Sequence, residues 1–112
     1  MAKALYCTYL TGMAGQSVGL FYIGDGIVAG IDIATMQYNG AYTIADDGSL
    51  EGAIEYTIPG GTAVITGTTP LTSTKITTPL KLPAGFDDGR VVAIQTPLGP
   101  VNARFEKVRD LP

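Results

Sequence analysis

Between Leu50 and Ile58, large apolar side chains occupy every second position, with Gly52 as the one gap. Only a β-strand that is buried on one face requires this period of two, because successive side chains of a strand point to opposite faces. The inward set is Leu50, Ile54, Tyr56 and Ile58, and the outward set is Glu51, Glu55 and Thr57. This pattern predicts a β protein with one apolar and one solvated sheet face.

Turn-forming residues divide the rest of the chain into runs of strand length. Asp25-Gly26 and Asp47-Gly48 are tight-turn dipeptides, because glycine tolerates a positive φ. Most connections are too short for the crossovers that parallel strands need, so we expect consecutive strands to pair as antiparallel hairpins. Eight strands are predicted, at Ala4–Leu10, Ser17–Ile23, Ile27–Ile33, Tyr38–Ala45, Leu50–Ile58, Lys75–Pro83, Arg90–Thr96 and Val101–Val108.

Eight short antiparallel strands have unpaired edges unless their sheet closes on itself. The sequence therefore predicts a single all-β domain over residues 1–112, an eight-stranded antiparallel up-and-down small β-barrel, with a two-sheet sandwich as the alternative. Pro79 has no N–H to donate and belongs at an edge or a bulge, which weakens the case for perfect closure near the sixth strand. Residues 59–74, rich in glycine and threonine, are expected to form a short irregular or helical insert, in which the apolar run Ala63-Val64-Ile65 could extend a strand, form a small cap or make an extra edge.

Composition and charge exclude several classes of function. The 112 residues carry 7 basic and 10 acidic side chains, so the net charge of −3 provides no cationic surface for nucleic acid. No segment approaches the ~20 apolar residues of a membrane-spanning helix, and Glu51, Lys81 and Arg104 interrupt the apolar belt that a membrane barrel would need. The single Cys7 and the absence of a recognisable signal peptide favour a reducing, cytoplasmic location.

The sequence contains no evident catalytic or metal-binding set. Histidine is absent, Cys7 is the single cysteine and serine is scarce, so no pair of nucleophile and base can be assigned and we expect a protein that is not an enzyme. Asp46-Asp47-Gly48 and Asp87-Asp88-Gly89 have too few oxygen ligands for calcium and are interpreted as turns. No metal or cofactor is predicted.

Asp32 lies between Ile31 and Ile33 in an otherwise apolar strand. Because burial of a carboxylate is costly, we expect it to face solvent. If it points inward, it must meet Arg104, Lys107 or backbone donors, and it would then become the best polar anchor for a ligand.

Aromatic side chains occur singly on the predicted strands, at positions that we expect to face the core: Tyr6, Tyr9, Phe21, Tyr22, Tyr38, Tyr42, Tyr56 and Phe105. Gly40, Gly52 and Ala103 lie beside three of them on the same faces, so small residues next to large ones could leave a pocket. Eight strands enclose just enough space for packed side chains or one small guest. The candidate residues for binding an apolar ligand are Tyr42, Ile54, Tyr56 and Phe105, and solid packing of the core by these side chains is the alternative.

Four short motifs resemble the GrlR family of small bacterial proteins. They are Gly24-Asp25-Gly26, Gly30-Ile31-Asp32, Tyr38-Asn39-Gly40-Ala41-Tyr42 and Asp46-Asp47-Gly48, and the likeness extends over residues 4–58. This resemblance implies a lipocalin-like eight-stranded barrel, and its best known example is a negative regulator of type III secretion genes that binds its cognate activator. The activator-binding loop of that regulator carries four acidic residues in a row, whereas this chain has Asp46-Asp47 followed by Gly48-Ser49.

The resemblance implies a non-enzymatic regulatory barrel that acts through protein contacts, with Asp46 and Asp47 as the candidate residues for binding a protein partner. Together with the sheet edge that stays unpaired if the barrel does not close, the resemblance also implies a homodimer. A carrier of a small apolar or lipid-like ligand, held between the sheet walls, is the alternative function.

Overall fold

The computed structural model describes residues 3–67 and 69–112. Within these residues the chain forms eight strands, and no helix is long and apolar enough to cross a membrane. The strands are β1 (Ala4–Gly12), β2 (Gly15–Gly24), β3 (Ile27–Asp32), β4 (Gln37–Ile44), β5 (Leu50–Ile58), β6 (Thr74–Leu82), β7 (Val91–Thr96) and β8 (Gly99–Asp110). The prediction of eight strands is confirmed, and the bounds of β5 agree at both ends.

The eight strands form one antiparallel sheet in the order β6-β5-β4-β3-β2-β1-β8-β7. The sheet curls because β1 pairs with β8, from Ala4 opposite Asp110 to Thr11 opposite Asn102. β6 and β7 approach each other without a hydrogen-bonded ladder, so the barrel is nearly closed and has one seam. Pro79 lies in β6, at this seam, as its missing N–H predicts.

The strand polarity defines two ends of the barrel. At the upper end lie the connections β1–β2, β3–β4, β5–β6 and β7–β8, and at the lower end lie the connections β2–β3, β4–β5 and β6–β7. The long β6–β7 connection closes the lower end, because the buried Phe86 packs against Tyr6 and Phe105 with ring centroids 5.5 and 5.1 Å away. Aromatic side chains therefore pack together at the lower end.

Tyr9 and Tyr22 do not face the core, contrary to the prediction. Both lie on the outer face, because they alternate with the inward residues Thr8 and Phe21 of the same strands. The Tyr9 ring stacks under the guanidinium of Arg104 at 4.4 Å. The Tyr22 hydroxyl donates a hydrogen bond to Asp25. Both tyrosines therefore have a polar partner at the surface.

The long connection between β5 and β6 is irregular, with turns but no helix in its described residues; Thr68 of the predicted insert lies outside the described part of the chain. The segment 62–66 of this connection folds back across the upper end. The Ala14 N–H, in the β1–β2 turn, donates a hydrogen bond of 2.7 Å to the Ile65 carbonyl. This bond fixes the segment to the rim of the barrel.

Candidate ligand-binding cavity

The lumen of the barrel contains a cavity of ≈ 440 Å³. It runs from the segment 62–66 at the upper end to Ile23, Val28 and Leu82 deeper in the barrel, and most of the lining side chains are apolar. Cavities that bind small molecules typically measure about 300–1,000 Å³ and combine an apolar lining with a few polar groups. The inward side chains therefore leave room for a guest molecule.

Three of the four predicted ligand-binding residues line this cavity: Ile54, Tyr56 and Phe105. Tyr42 does not line it. Its side chain is buried in the core nearer the lower end, and its backbone N–H donates a hydrogen bond to the carbonyl of Gly26 in the β2–β3 turn. The alternation of β4 correctly predicts that Tyr42 points inward, but it carries no information about depth along the barrel axis.

Asp32 points into the barrel and is 6% exposed, so the expectation that it faces solvent is wrong. The N–H groups of Ala34 and Met36 donate hydrogen bonds to its Oδ1 at 2.9 and 3.1 Å. The Tyr38 hydroxyl donates to its Oδ2 at 2.7 Å. These three donors offset the cost of burying the carboxylate, and two of them are the backbone donors that an inward Asp32 was expected to meet.

A row of stacked aromatic rings forms one wall of the cavity. The Tyr38 ring lies 5.2 Å from the Phe21 ring and 5.0 Å from the Tyr56 ring, centroid to centroid, in tilted arrangements. The Phe21 ring packs directly on the backbone of Gly30, where any Cβ would overlap it. Glycine at position 30 therefore places the first ring of the row.

Tyr38 remains a neutral hydrogen-bond donor. Burial raises the pKa of its hydroxyl far above the ordinary value, and the bond to the Asp32 carboxylate raises it further. The site therefore presents one buried carboxylate and one buried phenol that are already paired with each other.

Four residues that line the cavity have a buried hydroxyl oxygen with no hydrogen-bond partner among residues 3–67 and 69–112: Thr8, Ser17, Thr66 and Thr78. Thr8 is 1% exposed and Thr78 is 4% exposed. A buried hydroxyl without a partner costs about 1–3 kcal/mol, and such groups are rare in folded proteins. The sequence analysis missed them, although the inward positions of Thr8 between Tyr6 and Leu10, and of Thr78 between Ile76 and Leu80, follow from alternation.

The segment 62–66 covers the upper end of the cavity and contributes all five of its residues to the lining. The sequence predicted an irregular or helical insert here, in which Ala63-Val64-Ile65 could extend a strand, form a small cap or make an extra edge, and in the structure this run covers the lumen. Ile33, Ala34 and Met36 of the β3–β4 turn also line the cavity at this end.

The acidic β4–β5 turn, predicted to bind a protein partner, lies at the lower end, away from the segment 62–66. Asp47 accepts two hydrogen bonds on its Oδ1, from the backbone N–H of Ser49 at 2.9 Å and from the Ser49 hydroxyl at 2.6 Å. These bonds lower the pKa of Asp47. Asp46 is exposed and makes no side-chain hydrogen bond or ion pair with the described residues.

Comparison of the chain with protein-family models, with curated proteins and with solved structures found no match. The resemblance to the GrlR family therefore stays a prediction.

Proposed function

We propose that this protein binds a small, mainly apolar molecule in the lumen of its barrel and acts as a carrier or sensor of that molecule, not as an enzyme. The observation that carries this proposal is the cavity of ≈ 440 Å³, whose lining includes the aromatic row of Phe21, Tyr38 and Tyr56. A core whose only task is stability is packed to crystal-like density, and voids of this size are costly.

Two measurements test the proposal. Native mass spectrometry of freshly purified protein should detect a bound species above the 11.6 kDa of the chain. Titration with the neutral fluorophore N-phenylnaphthylamine should give a saturable rise in fluorescence with a stoichiometry of one, because the probe gains fluorescence in an apolar site.

A matched pair of variants tests whether the fluorophore binds inside the barrel. Ile54→Trp puts a large ring into the cavity, whereas Ala53→Trp puts the same ring on the exposed outer face of β5. We expect Ile54→Trp to abolish probe binding and Ala53→Trp to retain it. If Ile54→Trp does not fold, Leu98→Trp at the β7–β8 turn, which also lines the cavity, takes its place. Equal binding by the inner and outer variants would refute a ligand site in the lumen.

A second candidate function, contact with another protein, is supported by the outer face of β2 and β3. This face carries no charged side chain among its described residues, and its cross-strand neighbours Leu20 and Ile31 are 48% and 43% exposed. On the outer face of β5 and β6, by contrast, Glu51 pairs with Lys81 and Glu55 with Lys75. Two copies of the uncharged face can meet without burying charge, so the partner that we propose is a second copy of the chain.

Light scattering at micromolar concentration tests the homodimer. Leu20→Glu together with Ile31→Glu would place four carboxylates in the contact, two from each copy, and should convert a dimer into a monomer. A wild-type protein that scatters only as an 11.6 kDa species would contradict the dimer. Regulation of a protein partner through Asp46 and Asp47 remains a separate prediction.

A further inference from the structure

We propose that the ligand of the cavity is an uncharged amphipathic molecule, an inference that rests on the ligand-binding function proposed above. The molecule has an apolar body and at least one hydroxyl, carbonyl or ether oxygen that hydrogen-bonds to Thr8 or Thr78. A free hydrocarbon and a fatty-acid anion are both excluded by this proposal. Fatty alcohols, monoacyl esters and similar neutral lipids belong to the class.

The first step concerns the hydroxyls of Thr8 and Thr78. Both side chains are more than nine-tenths buried, both line the cavity, and neither hydroxyl has a partner among the described residues. Their strands, β1 and β6, are separated in the sheet by four other strands, so the two residues line the lumen from different parts of the wall. A guest with a polar oxygen can satisfy them, whereas a pure hydrocarbon leaves them unpaired.

The second step concerns charge. No lysine or arginine lines the cavity in the described part of the chain, and Asp32 is the single ionisable acid or base among the lining residues apart from the tyrosines. A carboxylate or phosphate ligand would have no counter-charge in the lumen and would face the negative charge of Asp32 at the wall. Burial of an unpaired anion is strongly unfavourable, so the lining selects against anionic lipids.

The third step concerns cations, which Asp32 could attract. Its two oxygens already accept three hydrogen bonds, from Ala34, Met36 and Tyr38, and these tie the carboxylate to the β3–β4 turn. An ammonium ligand would have to compete with donors that are part of the fold. Asp32 is therefore assigned to holding the β3–β4 turn and Tyr38 in place, and the hydroxyls of Thr8 and Thr78 are assigned to the ligand.

A head-group series tests this assignment. Decanol, decanoate, decylammonium and decane share one chain length, and each displaces N-phenylnaphthylamine from wild-type protein if it binds. We expect decanol to bind tightest, and to exceed decanoate and decane by about tenfold or more, since one hydrogen bond or one avoided buried charge has that effect.

Variants then assign the preference to the two threonines. Thr8→Val and Thr78→Val remove a hydroxyl at nearly constant shape and should each weaken decanol binding about five- to tenfold, while decane binding is unchanged or stronger. Thr77→Val, on the exposed outer face of the same strand as Thr78, is the matched control and should change neither. Because neither hydroxyl has a partner among the described residues, neither inner variant should lower the melting temperature of the ligand-free protein.

The outcomes separate the two proposals. Tightest binding by decanoate would overturn the charge argument, and tightest binding by decylammonium would make Asp32 the ligand's counter-ion and overturn the assignment. Equal binding of decanol and decane, or decanol binding unaffected by both threonine variants, would show that the hydroxyls are satisfied by water. If the fluorophore and all four compounds fail to bind, the ligand-binding function itself is refuted.

Discussion

The Tyr38 hydroxyl donates a hydrogen bond of 2.7 Å to Oδ2 of Asp32, across the turn that joins β3 to β4. Because Asp32 also accepts the N–H groups of Ala34 and Met36, the turn, the buried carboxylate and the central ring of the aromatic row form one connected unit. The β3–β4 turn, which lines the upper part of the cavity, is therefore held from inside the barrel.

Removal of the Tyr38 hydroxyl should destabilise the protein. Tyr38→Phe leaves Oδ2 of the buried Asp32 without its donor, and loss of a hydrogen bond to a charged group costs about 1.5–3 kcal/mol. The free energy of unfolding from urea titration measures this loss. Tyr22→Phe removes the exposed bond to Asp25 and is the control, for which we expect no resolvable change of the urea midpoint. Equal midpoints for Tyr38→Phe and wild type would contradict the role of the pair.

Alkaline pH should unfold the protein through its buried tyrosines. Burial, and then the nearby Asp87, raise the pKa of Tyr6 to about 12 from its ordinary 10.0, and the pKa of Tyr38 is also raised. A group whose folded pKa exceeds its unfolded pKa contributes fully below the unfolded value, and this contribution is lost as pH rises through the folded value. Stability should therefore fall between pH 10 and about 12, and Tyr6→Phe should flatten this fall.

That pH dependence can be followed by tyrosinate absorbance together with circular dichroism. In the wild-type protein, part of the tyrosine titration should coincide with the loss of β-structure. Complete ionisation of all six tyrosines in a chain that is still folded would contradict the burial of Tyr6 and Tyr38.

Gly30 should tolerate no side chain. A Cβ at this position overlaps the Phe21 ring, so Gly30→Ala should cost about 1–3 kcal/mol and push the ring into the cavity, with weaker binding of N-phenylnaphthylamine. The double variant with Phe21→Leu tests the cause, because a smaller side chain relieves the overlap. The cost of Gly30→Ala should then shrink, and an unchanged cost would place the strain elsewhere.

The periodic features of the chain were predictable, and the position along the barrel axis was not. Alternation of apolar residues and the Asp-Gly turns predict the strands, the inward Ile54, Tyr56 and Phe105, and the edge position of Pro79, because each depends on local geometry. The depth of Tyr42 depends on the tilt and register of neighbouring strands, which no local pattern encodes. Asp32 was misplaced because its donors come from a turn and from Tyr38, and a burial rule for carboxylates does not anticipate such a partner set.

The two acidic residues of the β4–β5 turn should behave differently. Asp47→Ala removes the acceptor of both Ser49 hydrogen bonds and should lower the urea midpoint, whereas Asp46→Ala should leave it unchanged. Since those bonds lower the pKa of Asp47, its contribution is present above the ordinary carboxyl pKa of 3.8 and is lost as the pH falls through the lowered value. A partner-binding test at this turn should therefore use Asp46→Lys alone, because Asp47→Lys also disturbs the turn. Equal effects of the two alanine variants on stability would contradict this division.

The segment 62–66 should control access to the cavity. A Cβ on Gly12 would lie 2.5 Å from the Ile65 carbonyl oxygen, so Gly12→Ala should push this segment away from the β1–β2 hairpin and weaken the Ala14–Ile65 hydrogen bond. We expect faster deuterium exchange at the Ala14 amide and faster entry and exit of N-phenylnaphthylamine, with a smaller change in affinity. Gly15→Ala is the control, because a Cβ there meets the Ile65 side chain at an ordinary 3.7 Å. Unchanged probe kinetics in Gly12→Ala, with exchange at Ala14 accelerated, would show that the ligand enters by another route, such as the seam between β6 and β7.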